Sequence, residues 1–128
     1  MKPDTRPMSP YMIGPYYKPQ LTSMLSILSR LTGVFLTVVS TPLVLLWVLA
    51  LAAGPETFGQ LQSLLGGMIG KAIWLASLFS LCYHLANGIR HLIWDTGAML
   101  ELESVYLSGY IMLATSVALF VLVWWLAS

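Results

Sequence analysis

Three long stretches of the chain contain no charged side chain, and this pattern constrains the fold more than any other feature. They run from Leu31 to Pro55, from Ala72 to Ile89 and from Ser104 to Ser128. Each is close to the roughly 20 apolar residues, at about 1.5 Å rise per residue, with which a helix crosses a hydrocarbon layer about 30 Å thick. The sequence therefore predicts an all-α membrane protein of one domain, residues 1–128, with three transmembrane helices near residues 31–53, 71–93 and 105–127.

The composition excludes two other classes of protein. Charged residues make up 9% of the chain and hydrophobic residues 58%, whereas an ordinary soluble domain is about one quarter charged. Six basic against five acidic residues leave no positive excess for binding nucleic acid. The single cysteine, Cys82, excludes an internal disulfide bond, and without a Cys-x-x-Cys-His motif any haem is held without thioether bonds.

Basic residues near the predicted spans indicate the orientation. The side that holds the N-terminus and the second connection has five of them, and the other side has only Lys71; the five are Lys2, Arg6, Lys18, Arg30 and Arg90. By the positive-inside rule we expect the N-terminus in the cytoplasm of a bacterium, with the chain in the inner membrane, or in the matrix of a mitochondrion.

The region before the first span, residues 1–21, is rich in proline and tyrosine and has no apolar run that a signal peptide needs. Because proline disfavours a helix, we expect an extended cytoplasmic arm. A disordered tail and an arm that lies on a partner subunit both remain open. Within the first span, Pro42 is expected to kink the helix.

Two histidines in the second span are the most informative polar residues. His84 and His91 are seven residues apart, so they lie on one helical face, with Asn87, Gly88 and Arg90 nearby. An ionisable group in a span usually marks a ligand, ion or proton path. No Cys, Asp or Glu of this span faces His84, which argues against zinc, whereas haem iron needs only one axial nitrogen on each face of its ring.

Gly88 leaves room there for a porphyrin edge, and haem propionates are expected to reach Arg90 and His91 at the membrane surface. The alternative is that His84 and Arg90 only bond across helices and extend towards the surface.

A second polar pair precedes the first uncharged stretch. Ser26 and Arg30 are four residues apart and share a helical face, where a hydroxyl and a guanidinium suit a quinone carbonyl. Binding of lipid phosphate by Arg30 is the alternative. Quinone reduction also consumes protons, and the candidate donors are the acidic residues after the second span: Asp95, Glu101 and Glu103. The alternative is that these residues only solvate the loop and pair with Arg90.

In these segments the chain resembles the cytochrome b556 membrane anchors of succinate dehydrogenase, respiratory complex II, in their alphaproteobacterial and mitochondrial branch. The resemblance rests on SILSRLTG, which contains Ser-Ile-x-x-Arg-x-x-Gly, and on HLANGIRHLIWDTG, which contains His-x-x-x-Gly-x-Arg-His-x-x-x-Asp. The RPMSP segment near the N-terminus and the three-span layout extend it over the whole chain.

The resemblance implies specific roles. His84 is then an axial ligand of haem b, and a sister anchor subunit supplies the second ligand. Ser26, Ile27 and Arg30 line the site of the substrate ubiquinone, while Arg30 and His91 lie near the haem propionates. A flavoprotein subunit oxidises succinate, and an iron–sulfur subunit passes the electrons to this anchor.

This chain differs from the family at two positions. Family members commonly have His where this chain has Ser29, which puts one propionate contact in doubt, and often His where it has Tyr11.

Two other functions remain open. A fumarate reductase anchor would run the same electron path in reverse. From a different class, a non-redox assembly factor or transporter subunit would use the buried His and Arg for helix packing.

Overall fold

The computed structural model describes residues 18–127, which form helices and no strand. The helices are α1 (Leu21–Phe35), α2 (Thr41–Ala53), α3 (Pro55–Leu65), α4 (Met68–Asp95) and α5 (Leu102–Ala127), with a π-helical turn, Leu36–Ser40, between α1 and α2. Three stretches are long and apolar enough to cross a membrane: Leu21–Ala53, Met68–Asp95 and Leu102–Ala127. The predicted all-α fold with three spans is confirmed, while most of the predicted arm lies outside the described residues.

The helices extend beyond the uncharged stretches of the sequence. The first span begins at Leu21, ahead of Arg30, and the second continues past Arg90 to Asp95. A long basic side chain near a span end can place its charge at the membrane surface while its backbone stays helical. The uncharged stretches of the sequence therefore underestimate the lengths of the helices.

A π-helical turn lies immediately before Pro42. The Thr41 N–H donates to the Leu36 carbonyl, five residues back, and the Thr41 hydroxyl contacts the same oxygen at 3.0 Å. Proline removes one backbone donor and crowds the preceding turn, and a widened turn is one way in which a helix accommodates that conflict. The disturbance expected at Pro42 thus takes the form of a π turn within a continuous span.

The connection between the first and second spans contains the short helix α3, which the sequence analysis missed. Gly54 has a φ of 119°, Pro55 occupies the first helical turn, and Glu56 follows it. Proline and an acidic residue both favour a helix start. Phe58 of α3 packs edge-on against Trp47 of α2, with ring centroids 5.4 Å apart, and thereby folds α3 back onto the end of the first span.

Helix α4 is the centre of the molecule and packs against both α1 and α5. The core is small and joins these three helices; its buried members are Leu25, Tyr83, Ala86 and Met112. The Tyr83 side chain is fully buried and its hydroxyl donates to the Leu25 carbonyl at 2.8 Å. Small residues such as Ser77, Gly109 and Ser116 are also buried, as expected where membrane helices approach closely.

Candidate functional site

His84 lies on α4 against α1, and its imidazole is held along one edge. Its Nδ1 is 3.2 Å from the carbonyl oxygen of Ser29 and 3.3 Å from the hydroxyl oxygen of Thr32. The residue is nevertheless exposed on the surface of the chain. One edge of the ring is therefore fixed by α1, and the rest faces outwards.

Gly33 makes this close approach of α1 to the imidazole possible. A Cβ atom at position 33 would lie 3.0 Å from Cε1 of His84 and 3.5 Å from Nδ1. Such a separation is shorter than normal van der Waals contact between carbon atoms, about 3.5 to 4.0 Å. A larger residue at this position would displace the ring.

A groove of about 510 Å³ runs along α1 beside His84. It is lined by one polar cluster and by apolar residues of the following turns: Ser29, Arg30, Gly33, Val34, Thr37, Val38 and His84. The structure thus brings the predicted haem ligand and the predicted quinone and propionate residue Arg30 to one groove. They come from two different helices.

The other two predicted quinone residues lie next to this groove and do not line it. Ser26 is half-buried and Ile27 is half-exposed, one turn before Arg30 on α1. Arg30 itself is exposed. Of the three predicted quinone residues on α1, only Arg30 lines the groove beside His84.

His91 and Asp95 lie towards the end of α4, outside the residues that line the groove. His91 is exposed, and its ring packs edge-on against Trp94 with centroids 5.1 Å apart. Asp95 is the last residue of the helix and is exposed. Within this chain, neither residue joins His84 and Arg30.

Arg90 differs from the expectation, because it faces α5 and not the groove. Its Nε donates to the Ser108 hydroxyl at 3.0 Å and its Nη2 to the Val105 carbonyl at 2.7 Å. The guanidinium also stacks on Trp94, 4.1 Å from the ring centroid. The residue is buried. The expected reach of Arg90 to a propionate beside His84 is therefore corrected, and Arg90 joins α4 to α5.

Two residues in contact with His84, Thr32 and Gly33, had no role assigned to them from the sequence. Both belong to the SILSRLTG segment, and their closeness to Arg30 in the sequence was the only feature that could have indicated a place in the site. The Ser29 contact uses a backbone carbonyl, which any residue type supplies. No pattern in the sequence predicts that contact.

The groups available for chemistry at the groove are one imidazole and one guanidinium. Among residues 18–127, no group of three or more His, Cys, Asp or Glu side chains is arranged to hold a metal ion. His84 can contribute a single axial nitrogen to a metal whose remaining ligands come from elsewhere. Arg30 can bind an anionic or carbonyl group of the same ligand.

Known proteins resemble this chain over nearly its full length. Residues 2–123 match the family described as succinate dehydrogenase/fumarate reductase transmembrane subunit. The succinate dehydrogenase cytochrome b556 subunit of Rickettsia prowazekii is 41% identical over 119 residues, which are 93% of this chain and 90% of the relative.

Two further relatives extend the comparison. The succinate dehydrogenase cytochrome b560 subunit of Marchantia polymorpha is 40% identical over 84% of this chain and 80% of its own length. The cytochrome b556 subunit of Paracoccus denitrificans is 35% identical, over 91% of this chain and 88% of its own length. With the three apolar helices, these matches identify an integral membrane protein that belongs to the succinate dehydrogenase/fumarate reductase transmembrane subunit family.

Proposed function

We propose that this chain is a haem b- and ubiquinone-binding anchor subunit of a succinate:quinone oxidoreductase. In this role it takes electrons from an iron–sulfur subunit and delivers them to ubiquinone in the membrane. The observation that carries the proposal is the imidazole of His84, which α1 holds along one edge while the residue stays exposed. The cytochrome b names of the relatives support haem b as the cofactor.

The surroundings of His84 fit a haem. Gly33 of α1 borders one side of the ring, and Gly88 lies one turn further along α4, where a Cβ would meet no atom within 4 Å. A flat macrocycle needs such a surface without side chains next to its axial ligand. Arg30 lines the same groove and offers a guanidinium to a carboxylate, as a propionate would require.

A bound haem would supply one-electron redox chemistry beside the quinone site. His84 would be its axial ligand from this chain, and Arg30 would bind a propionate. His91 would contact a propionate only in the assembled complex, because within this chain its ring packs on Trp94. Because His84 is exposed, a sister anchor subunit would be able to reach the same haem and supply its other ligand.

The quinone site would be formed by Ser26, Ile27 and Arg30. The Ser26 hydroxyl would donate to a quinone carbonyl, and Ile27 would provide apolar contact for the ring. Arg30 would stabilise the negative charge that develops on the quinone oxygen during reduction. Asp95, exposed at the end of α4, is a candidate for proton supply from the water phase.

The partners that follow are a second anchor, an iron–sulfur subunit and a flavoprotein that oxidises succinate. The bias of basic residues supports a cytoplasmic N-terminus, and the proposed location is the bacterial inner membrane. The names of the relatives favour succinate oxidation over fumarate reduction. Family membership sets aside an assembly factor or a transporter subunit.

The test is replacement of the proposed ligand in the assembled complex. Purified with its partner subunits, the wild-type protein should show a reduced b-type absorption band, and His84→Ala should abolish it while succinate oxidation by an artificial dye persists. Leu85→Ala is the matched control, because Leu85 is the next residue on α4, is exposed and does not line the groove. An unchanged spectrum in His84→Ala would exclude His84 as the ligand.

A further inference from the structure

The environment of His84 determines which of its two nitrogens carries the proton. The carbonyl oxygen of Ser29, 3.2 Å from Nδ1, can only accept a hydrogen bond. The hydroxyl of Thr32, 3.3 Å from the same nitrogen, has one proton, and two backbone carbonyls lie closer to it: Leu28 at 2.9 Å and Ser29 at 3.0 Å. Because the hydroxyl donates its hydrogen bond to a carbonyl, its oxygen presents a lone pair to the imidazole.

An unprotonated Nδ1 would therefore face the lone pairs of two oxygen atoms. A protonated Nδ1 donates to both, so this neutral form is favoured. Its other nitrogen, Nε2, then carries the lone pair that a metal requires. The Cε1 atom between the two nitrogens lies against Gly33, where a Cβ would be 3.0 Å from Cε1, 3.5 Å from Nδ1 and 3.8 Å from Nε2, so α1 also restricts movement of the ring.

We infer that Thr32 is a positioning residue for His84: with the Ser29 carbonyl, its hydroxyl holds the imidazole in the Nδ1–H form and directs Nε2 at the metal. This inference rests on the proposed function and deepens it. The hydrogen bond from Nδ1 makes the imidazole a more electron-rich ligand, which stabilises oxidised iron. Thr32 touches neither the metal nor quinone in this assignment.

The test compares Thr32→Val, Thr32→Ser and Thr115→Val in the complete purified complex. Valine keeps the shape of threonine but cannot accept the hydrogen bond, whereas serine keeps the hydroxyl. Thr115 of α5 is the matched control, since its hydroxyl also contacts the carbonyl four residues back, at 2.8 Å from Ile111, but it does not line the His84 groove. Potentiometric titration of the reduced b-type band measures the haem midpoint potential, and transfer to an apo-protein acceptor measures haem loss.

Thr32→Val should raise the midpoint potential and speed haem loss about tenfold, the lower end of the effect of losing a partner of a metal ligand. Thr32→Ser should restore both values, and Thr115→Val should leave both unchanged. An unchanged potential in Thr32→Val would overturn the inference, as would an equal shift in Thr32→Ser or a complex that no longer assembles. The absence of any b-type band in the wild-type complex would instead overturn the proposed function.

Discussion

At the scale of single residues, two polar side chains of α4 face different neighbouring helices. His84 meets α1 and keeps an exposed surface, whereas Arg90 is buried against α5. A polar group in a membrane is stable when protein satisfies it, and only a group that is left accessible can also bind a ligand. Exposure therefore separates His84, the proposed ligand, from Arg90, which only joins α4 to α5.

Asn87 lies between His84 and Arg90 on α4. Its side chain is almost fully buried, and both its nitrogen and its oxygen lack a hydrogen bond within the described part of the chain. Burial of an amide without a partner costs about 1 to 3 kcal/mol by mutational measures.

The quinone proposal gives a prediction for Arg30 and Ser26. Arg30→Ala and Ser26→Ala should each lower the rate of quinone reduction, by about tenfold or more for Arg30, because charge on the reacting oxygen loses its stabilising partner. Succinate oxidation by an artificial dye should be unaffected, since it does not use the anchor. Comparing the two assays on the purified complex measures the difference.

Two controls come from the opposite end of the spans. Lys71→Ala removes an exposed basic residue and Ser63→Ala an exposed hydroxyl, both far along the chain from Arg30. Both should leave quinone reduction at the wild-type rate. If Arg30→Ala and Ser26→Ala behave like these controls, the quinone binds elsewhere.

At the scale of helices, α4 is held by different interactions on its two sides. Towards the first span it uses Tyr83, His84 and a bond between the hydroxyls of Ser77 and Ser40, 2.9 Å apart. Towards α5 it uses the guanidinium of Arg90, and Gly109 of α5 lies close to it: a Cβ there would be 3.5 Å from Nη2. Polar contacts supply part of the attraction that lipid does not provide between membrane helices.

The contact of Arg90 with α5 should contribute measurably to stability. Arg90→Lys keeps a buried charge but loses the two-pronged hydrogen bonding and the stacking on Trp94. We expect a loss of about 1 to 2 kcal/mol in the free energy of unfolding, the sum of two hydrogen bonds of the size found in membrane proteins. Unfolding of the complex by sodium dodecyl sulfate in mixed micelles measures it.

Lys71→Arg serves as the reference for this exchange, because Lys71 is exposed at the start of α4. Its stability should match the wild type within a few tenths of a kcal/mol. Equal stability of Arg90→Lys and Lys71→Arg would mean that the contacts of Arg90 with α5 are replaceable.

At the scale of the whole molecule, the three spans bury very little of their own surface. In their most apolar windows, 6% of residues in the first span and 11% in the third are buried, against 33% in the second. Large apolar side chains face outwards along all three helices. Lipid or other protein must cover this surface, which agrees with a membrane subunit of a complex.

The proposed orientation gives a prediction for the whole chain. With Cys82 replaced by Ala, single cysteines at Lys18 and Gln60 report on opposite ends of the first span, since both positions are exposed. In spheroplasts, a membrane-impermeant maleimide should label Gln60→Cys and not Lys18→Cys; after lysis it should label both. The reverse pattern in spheroplasts would contradict a cytoplasmic N-terminus.

The sequence by itself determined the number of spans, the membrane class and the family motifs around Arg30 and His84. Hydropathy is a sum of local transfer free energies, so it can be evaluated along a chain without knowledge of the packing. The helical period likewise predicted that His84 and His91 share a face. The start of α1 ahead of Arg30 was not predicted, because a basic residue near a span end does not interrupt a helix.

Only the tertiary structure decided how the helices turn towards one another. The contact of Thr32 with His84 joins residues 52 positions apart, and Arg90 and His84 proved to face different neighbours, α5 and α1. Helical spacing fixes the angles between side chains of one helix, but the rotation of that helix about its axis is set by packing against others. The proposed haem groove is therefore a property of the α1–α4 pair, and neither helix contains it alone.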